Sequence, residues 1–272
     1  MISTIAIFVF IFGVIIGSFL NVVILRFKTG RTVGGRSFCF SCGKVLNALE
    51  LIPVFSFLFQ RGKCKSCKTP LSWQYPLVEI ITGIVFVIVY FKTLAGFPFV
   101  SALSMVFYFA IFSILIVISV YDIRHKIVPD KLALWFASLS FVWLLATHNI
   151  FYFKTLGGLL NLLAGPILFL PFYALWRWSN GEWMGLGDGK LALGIGLLLG
   201  LAKGASAIIL GFWIAAAVSL VMIGLQKIVK LNIPLLKMKS EMPFAPFLVL
   251  GTLLAYYYSP DLLSINVFLF GM

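Results

Sequence analysis

Eight apolar stretches dominate the chain and restrict what it can fold into. A helix of about 20 mainly apolar residues crosses the hydrocarbon core of a bilayer, and the stretches reach or approach this length. They lie at residues 5–25, 76–93, 99–120, 132–147, 156–176, 191–202, 205–226 and 244–258. Because 62% of the 272 residues are hydrophobic and 11% are charged, neither a soluble domain nor a disordered chain fits this composition. The sequence predicts an all-α, multi-pass membrane protein with about eight spanning helices.

The positions of the basic residues predict the topology. A formal net charge of +13 would suit nucleic-acid binding in a soluble protein, but in a membrane protein Lys and Arg collect in the cytoplasmic loops. If eight helices span the bilayer and the N-terminus lies outside, all but three of the 21 basic residues are cytosolic. The exceptions are Lys92, Lys154 and Lys203. We therefore expect an external N-terminus and no nucleic-acid partner.

Residues 26–75 interrupt the apolar pattern and contain all four cysteines, as the pairs Cys39/Cys42 and Cys64/Cys67. Two C-x-x-C turns can present four thiolates to one zinc ion in a closed tetrahedral site. Such a site has no open position for catalysis and largely folds a small polar segment. The sequence predicts a cytosolic, zinc-ribbon-like module between the first and second spanning helices. The alternative is that the four cysteines bind no metal and are either redox-active or unbonded.

Two aspartates lie at unusual positions. Asp122 continues the apolar run that ends at Tyr121, so we expect it on the third spanning helix or in its last turn. Ionisable groups at membrane depth are costly and usually mark function, although an ion pair with Arg124 or Lys126 is an alternative. Asp188 lies in a glycine-rich loop, directly before the sixth apolar stretch, where an N-cap role is the alternative.

The predicted topology places Asp122 and Asp188 at one depth near the cytosolic face, because the third helix ends there and the sixth begins there. Two carboxyl groups that approach closely share a proton, and such a pair can activate water while donating to a carbonyl. The dipoles of the two helix ends favour an ionised Asp188 and a protonated Asp122. The pair therefore predicts acid–base chemistry.

Other polar residues have simpler interpretations. Asp130 follows Pro129, a combination typical of helix capping at an N-terminus. Four further acids are predicted to be solvated in loops: Glu50, Glu182, Glu241 and Asp261.

The first two apolar stretches also carry small and polar residues. Gly13 and Gly17 form a G-x-x-x-G motif, which predicts close helix packing. Asn21 lies in the first stretch and Glu79 near the start of the second. From the residues alone, Glu79 is interpreted as an anchor at the membrane interface.

Taken together, these motifs resemble the bifunctional type IV prepilin peptidase/N-methyltransferase family, polytopic aspartic proteases with a G-x-G-D motif. The resemblance covers nearly the whole chain and departs from the family pattern at Val128 and Gly189, where Ile and Val are common. It rests on Gly17-Ser-Phe-Leu-Asn-Val22, both C-x-x-C pairs, Tyr75-Pro-Leu-Val-Glu79, Asp122, Pro129-Asp130, Gly185-Leu-Gly-Asp188 and Lys190-Leu191.

The resemblance implies that Asp122 and Asp188 cleave the short basic leader from prepilin-like precursors, without a metal, at the cytosolic face of the bacterial inner membrane. Residues 76–272 would form the peptidase domain, in which four residues support the pair: Gly185, Gly187, Lys190 and Asp130.

The same resemblance implies methylation of the new N-terminus with S-adenosylmethionine. Residues 1–75 would form the methyl-transfer region, with Asn21 and Glu79 as candidate binding residues.

Two other classes of protein share parts of this pattern. An ion- or proton-coupled transporter could use Asp122 and Asp188 as intramembrane carboxylates, but such a transporter leaves the cysteine module without a role. A non-catalytic scaffold could use the module to dock partners, but then the two aspartates have no role.

Overall fold

The computed structural model of the protein describes residues 2–29, 32, 34–94, 98–229 and 242–263. Within these ranges the regular elements are all helical, and extended pairing is limited to two isolated bridges, Phe38–Val45 and Lys63–Pro70. The all-α prediction is confirmed. Four of the basic residues that entered the topology prediction lie outside the described ranges: Arg31, Lys230, Lys237 and Lys239.

Eight α-helices are described, together with two 3₁₀ turns at Ala48–Leu51 and Tyr152–Lys154. Their bounds are α1 Ile2–Arg26, α2 Phe55–Phe59, α3 Gln74–Thr93, α4 Pro98–His125, α5 Asp130–Thr147, α6 Leu156–Trp178, α7 Leu186–Val229 and α8 Ala245–Tyr258. By length and composition, α1 and α3 to α7 can each cross a membrane, whereas α8 is a shorter apolar helix. The described part of the chain is therefore that of a multi-pass membrane protein.

The helix α7 contains the predicted sixth and seventh spans, divided at Gly200. This glycine has φ 77° and ψ −178°, so the helical hydrogen bonds are interrupted there. The side-chain oxygen of Asn161 accepts a bond from the freed backbone N–H of Leu201 at 3.4 Å, which satisfies a polar group inside an apolar unit. The apolar stretches 191–202 and 205–226 are separated at residues 203–204 in the sequence, whereas the interruption in the structure lies at Gly200 and Lys203 is within the helix.

The chain divides into two compact units, residues 1–117 and 118–272. The first contains α1, the cysteine module, α3 and most of α4, and the second contains the remaining helices. The division of the chain at residue 75 into two functional regions stays a prediction.

In the first unit, α1 and α3 pack closely through glycines. A Cβ atom on Gly13 would lie 2.8 Å from the Cα of Gly83, and one on Gly17 would lie 2.7 Å from the Cα of Glu79. Only glycine allows this approach of two backbones, so the predicted packing role of the G-x-x-x-G motif is confirmed.

In the second unit, the N-terminal half of α7 packs between α5 and α6. A Cβ atom on Gly194 would overlap the Phe136 ring of α5, and one on Gly196 would lie 2.5 Å from the Ala164 carbonyl of α6. These contacts leave no room for larger side chains and fix the position of the first turn of α7, which carries Asp188.

Candidate functional site

Asp122 lies in the last turns of α4, as predicted, and its side chain is buried, with 4% of the residue exposed. Its Oδ2 atom accepts a hydrogen bond from the backbone N–H of Ala245 at 3.1 Å. Ala245 begins α8, where backbone N–H groups lack acceptors within the helix. Asp122 therefore caps α8. None of the ion pairs in the described ranges involves Asp122, so the predicted alternative of a pair with Arg124 or Lys126 is wrong.

Asp188 is half-buried in the first turn of α7. It lies within the helix, which begins at Leu186, so both the predicted loop position and the N-cap alternative are wrong. The carboxyl groups of Asp188 and Asp122 lie within electrostatic range of each other. The second unit thus brings the two predicted carboxylates together where α4 ends and where α7 and α8 begin.

The two glycines before Asp188 have different surroundings. A Cβ atom on Gly187 would lie 2.7 Å from the Cβ of Val128, whereas one on Gly185 would meet nothing closer than 4.0 Å. Gly189 is also confined, because a Cβ atom there would lie 3.1 Å from the Cβ of Phe172. The first turn of α7 is therefore held by contacts at Gly187 and Gly189, and Gly185 contributes none of them.

Asp130 begins α5, but the N-cap residue is Pro129 and no side chain caps this helix. The predicted capping role is therefore wrong. Instead, Asp130 Oδ1 lies 2.6 Å from the Nζ atom of Lys190. This ion pair links the start of α5 to the first turn of α7, two residues beyond Asp188.

The four cysteines form one cluster in the first unit. Their sulfur atoms all lie within 4.8 Å of one another, and the Sγ atoms of Cys39 and Cys67 are 3.8 Å apart. Tetrahedral zinc with Zn–S bonds of about 2.3 Å requires S···S separations of about 3.8 Å. The donor set and its spacing therefore fit zinc.

The two C-x-x-C turns have equivalent backbones. The N–H of Cys39 donates to the Lys44 carbonyl and the N–H of Gly43 to the Cys39 carbonyl, each at 2.9 Å. In the second turn the N–H of Cys64 donates to the Thr69 carbonyl at 2.9 Å and that of Lys68 to the Cys64 carbonyl at 3.0 Å. This repeat gives the module its zinc-ribbon-like form.

Local hydrogen bonds favour the thiolate form of two ligands. The backbone N–H groups of Cys42 and Ser41 lower the pKa of Cys39. The hydroxyl and backbone N–H of Thr69 lower the pKa of Cys67 to about 6. For Cys42 the backbone N–H of Lys44 lowers the pKa, but burial and the neighbouring Cys39 and Cys67 outweigh it and raise the pKa to about 11. Metals bind the thiolate, so a cation is needed to hold all four cysteines in that form.

A cavity of about 260 Å³ opens between the module, the end of α1 and the start of α3. Its volume lies just below the range of roughly 300–1,000 Å³ that is typical of small-molecule sites. The wall contains two carboxylates and four aromatic rings: Glu50, Glu79, Phe38, Phe40, Phe57 and Tyr75. Lys44 neutralises Glu50, and Arg26 also lines the wall. The aromatic rings and Glu79 are therefore the groups that suit a ligand with a positive charge and an aromatic group.

Glu79 lies on α3 and is buried, with 6% of the residue exposed. Its Oε2 atom accepts a hydrogen bond from the backbone N–H of Val54 at 2.7 Å. Val54 has a φ of 62°, a conformation that β-branched residues rarely adopt. Glu79 therefore fixes an unusual turn of the module to a spanning helix and also lines the cavity.

Asn21 is buried on α1, and both ends of its amide are engaged. The Nδ2 atom donates to the Tyr75 carbonyl at 3.1 Å, and the Oδ1 atom accepts from Nε2 of Gln74 at 3.3 Å. Asn21 therefore ties α1 to the start of α3 and holds the backbone of Tyr75 at the cavity wall.

Glu50 is not solvated as predicted, because its side chain is 7% exposed and pairs with Lys44 at 2.9 Å. The backbone N–H of Asn47 and the Lys44 ammonium lower the pKa of Glu50. The Asn47-x-x-Glu50 spacing, a capping-box pattern, is the signal that identifies this residue in the sequence. Of the other loop acids, Glu182 is exposed as predicted, Asp261 is half-buried, and Glu241 lies outside the described residues.

The fold and these two sites define a class: an all-helical, multi-pass membrane protein with paired aspartates and a four-cysteine module. Two family models match the chain. The bacterial peptidase A24 N-terminal domain matches residues 11–93, which include the cysteines, Asn21 and Glu79. The type IV leader peptidase family matches residues 109–220, which include Asp122 and Asp188.

Relatives named prepilin leader peptidase/N-methyltransferase cover most of the chain. The protein of Bacillus subtilis (strain 168) is 32% identical over 95% of this chain and 96% of its own length. The protein of Aeromonas hydrophila is 30% identical over 71% of this chain and 72% of its own length. The protein of Myxococcus xanthus (strain DK1622) is 33% identical over 71% of this chain and 56% of its own length. No solved structure matches the chain. The chain belongs to the type IV leader peptidase family, and this membership does not support the transporter alternative.

Proposed function

We propose that this protein cleaves the basic leader peptide from prepilin-like precursors at the cytosolic face of the inner membrane and then methylates the new N-terminus. The observation that carries the proposal is the approach of Asp122 and Asp188 within the part of the chain that matches the type IV leader peptidase family. The name shared by the relatives supports both activities.

The peptidase reaction uses the two carboxyl groups as acid and base. The ionised aspartate takes a proton from water, and the water oxygen bonds to the carbonyl carbon of the scissile peptide. The other aspartate gives its proton to the carbonyl oxygen. As the C–N bond breaks, the leaving nitrogen takes a proton from the first aspartate and a hydroxyl proton returns to the second. The backbone N–H groups of Ala245 and Phe244 hydrogen-bond to the carboxyl group of Asp122 and hold it in place for this exchange.

The peptidase role is tested by incubating the purified protein with a prepilin-like precursor and measuring the product by mass spectrometry. Asp122→Asn and Asp188→Asn should each abolish cleavage, since neither amide can take a proton from water. Glu182→Gln, at an exposed loop acid, is the matched control and should cleave normally. Full activity in either aspartate variant would show that the pair is not the catalytic site.

For methyl transfer, we assign the cavity in the first unit to S-adenosylmethionine, which supplies an activated methyl group on a sulfonium cation. The aromatic rings of the wall and the Glu79 carboxylate suit that cation and the adenine ring. The Glu79 carboxylate accepts hydrogen bonds from the Val54 N–H and the Ser18 hydroxyl. It is the candidate acceptor for the proton that the new terminal amine loses. Asn21 acts by positioning the cavity wall.

Zinc in the four-cysteine cluster would have a structural role. Four sulfur ligands leave no open coordination position, so the ion would fix the module that forms one side of the cavity. The two equivalent turns and the lowered pKa values of Cys39 and Cys67 support this assignment. Proteolysis by the aspartates requires no metal.

The orientation and domain division follow from the charge pattern and the sites. We assign the N-terminus to the outside and the aspartate pair to the cytosolic side, because this places all but three of the 21 basic residues in the cytosol. We assign residues 1–75 to methyl transfer, with Glu79 of α3 completing that region, and the remainder of residues 76–272 to the peptidase.

A further inference from the structure

The cysteine module carries an exposed apolar and basic surface that the proposed activities do not use. Leu49, Phe55 and Phe59 are 78%, 61% and 84% exposed, and together with the basic side chains of Arg61, Lys63 and Lys65 they line one depression on the module. We call these six residues the basic–apolar patch. Large apolar side chains on a segment outside the spanning helices indicate an interaction surface.

The local fold fixes the direction in which the apolar part of the patch faces. Phe57 is the one buried residue of α2, and its ring packs against Trp73 with centroids 4.9 Å apart. Phe55 and Phe59 are four residues apart and therefore share one face of the helix, which is not the face that Phe57 buries. Gly62 packs behind this helix, because a Cβ atom there would lie 3.1 Å from the Phe57 ring. The exposed face is thus held in place by a packed one.

The patch is strongly cationic. Arg61, Lys63 and Lys65 are exposed, and none of them forms an ion pair in the described ranges. Glu50 is the one acid between residues 26 and 75, and Lys44 already neutralises it. A surface that combines exposed aromatic and aliphatic side chains with basic side chains is typical of binding at the interface of an anionic membrane.

We propose that the basic–apolar patch docks the cysteine module onto the anionic phospholipid surface of the membrane that the helices span. The module begins after α1 ends at Arg26 and finishes where α3 starts at Gln74, so both of its ends are tethered at spanning helices. Leu49, Phe55 and Phe59 enter the headgroup boundary, and the three basic side chains bind lipid phosphates. A second copy of the patch would be repelled by its like charge, and free phosphate would leave the apolar side chains in water.

The position of the module can be measured in the full-length protein by electron paramagnetic resonance. A nitroxide is attached through a genetically encoded keto amino acid at position 59, since cysteine labelling would disturb the cluster. A second sample carries the label at Ser41, which is exposed in the first C-x-x-C turn and outside the patch. Both samples are reconstituted in nanodiscs of phosphatidylcholine, with or without phosphatidylglycerol, and zinc content is measured to verify folding.

We expect the label at position 59 in phosphatidylglycerol discs to collide with oxygen more than with a water-soluble nickel chelate, and the label at Ser41 to show the reverse. Lys63→Gln should reduce the ratio of docked to undocked module about fivefold, the effect of one basic residue near an anionic surface. Lys28→Gln removes the same charge at an exposed residue outside the patch and should leave the ratio unchanged.

Three results would overturn the proposal in a zinc-replete protein. Equal water access at positions 59 and 41 would show that the patch does not dock. Equal protection in both lipid compositions would exclude the anionic headgroup as the partner. Protection that appears only after addition of a prepilin-like precursor, or that grows with the number of proteins per disc, would assign the patch to a protein partner instead.

Discussion

Asp122 accepts a hydrogen bond from the backbone N–H of Ala245, a residue 123 positions further along the chain. The carboxyl group at the end of one helix thereby caps the start of another. This contact fixes one oxygen of Asp122, and it also places a helix N-terminus beside a residue that ends a different helix. The dipole of α8 therefore opposes that of α4 at Asp122, and the assignment of the ionised form to Asp188 stays a prediction.

Removal of the N–H donor at residue 245 should impair cleavage without unfolding the protein. Proline is tolerated in the first turn of a helix, so Ala245→Pro deletes the donor. Because residue 245 is fully buried, the melting temperature is measured beside the cleavage rate to verify that α8 still forms. A hydrogen bond to a charged group contributes about 1.5–3 kcal/mol, and we expect a fall in the cleavage rate of about ten- to a hundredfold. Ala245→Gly retains the N–H and should retain most of the activity. Equal rates in the two variants would show that the bond does not position Asp122.

Gly187 should resist substitution because of Val128. A methyl group at residue 187 meets the Cβ of Val128 at 2.7 Å, and overpacking of this kind costs about 1–3 kcal/mol. Gly187→Ala should therefore lower both the melting temperature and the cleavage rate, by moving the first turn of α7 and Asp188 with it. Gly185→Ala, where the space is open, should behave as wild type. The double variant Gly187→Ala/Val128→Gly removes the Cβ that the new methyl group meets and should recover activity. A failure to recover would show that another contact causes the loss.

The sequence predicts these helices well because membrane spans depend on the length and polarity of a continuous segment. Contacts between distant segments leave no such pattern, so neither the bond from Ala245 to Asp122 nor the ion pair between Asp130 and Lys190 could be anticipated. Lys203 interrupts the apolar sequence, but the helix is interrupted at Gly200 instead. The Asn161 side chain accepts the Leu201 N–H bond there, a contact between distant segments that the sequence does not reveal. Close pairs of cysteines, by contrast, identify a cluster by their spacing alone.

Zinc removal should unfold the cysteine module selectively. The module has few buried side chains besides Cys39, Cys64 and Phe57, so metal binding supplies much of its folding free energy. After chelation, hydrogen exchange should accelerate at the amides of Cys39, Gly43, Cys64 and Lys68, while the amides of α7 stay protected. Cys39→Ser/Cys64→Ser should lose stoichiometric metal. Unchanged metal content in that variant would contradict the zinc assignment.

The ion pair between Asp130 and Lys190 should have a modest effect on catalysis. Both side chains are at least one third exposed, and exposed pairs contribute about 0.2–1 kcal/mol. Asp130→Ala and Lys190→Ala should each slow cleavage about two- to fivefold, because the pair steadies the turn that carries Asp188. A double-mutant cycle measures the coupling, and the double variant should be no slower than either single variant. Multiplicative losses would show that the two residues act independently.

Substitution of Glu79 should separate the two proposed activities. Glu79→Gln keeps an oxygen that can accept the Val54 N–H bond but removes the charge that the methyl-transfer step uses. We expect the variant to release the leader at the wild-type rate and to leave the new N-terminus unmethylated. The mass of the mature product, measured with and without S-adenosylmethionine, reports both steps in one sample. Glu79→Ala also frees the Val54 turn and should lower the stability of the module, seen as faster hydrogen exchange. Normal methylation by Glu79→Gln would exclude Glu79 as the proton acceptor and restrict it to holding the turn.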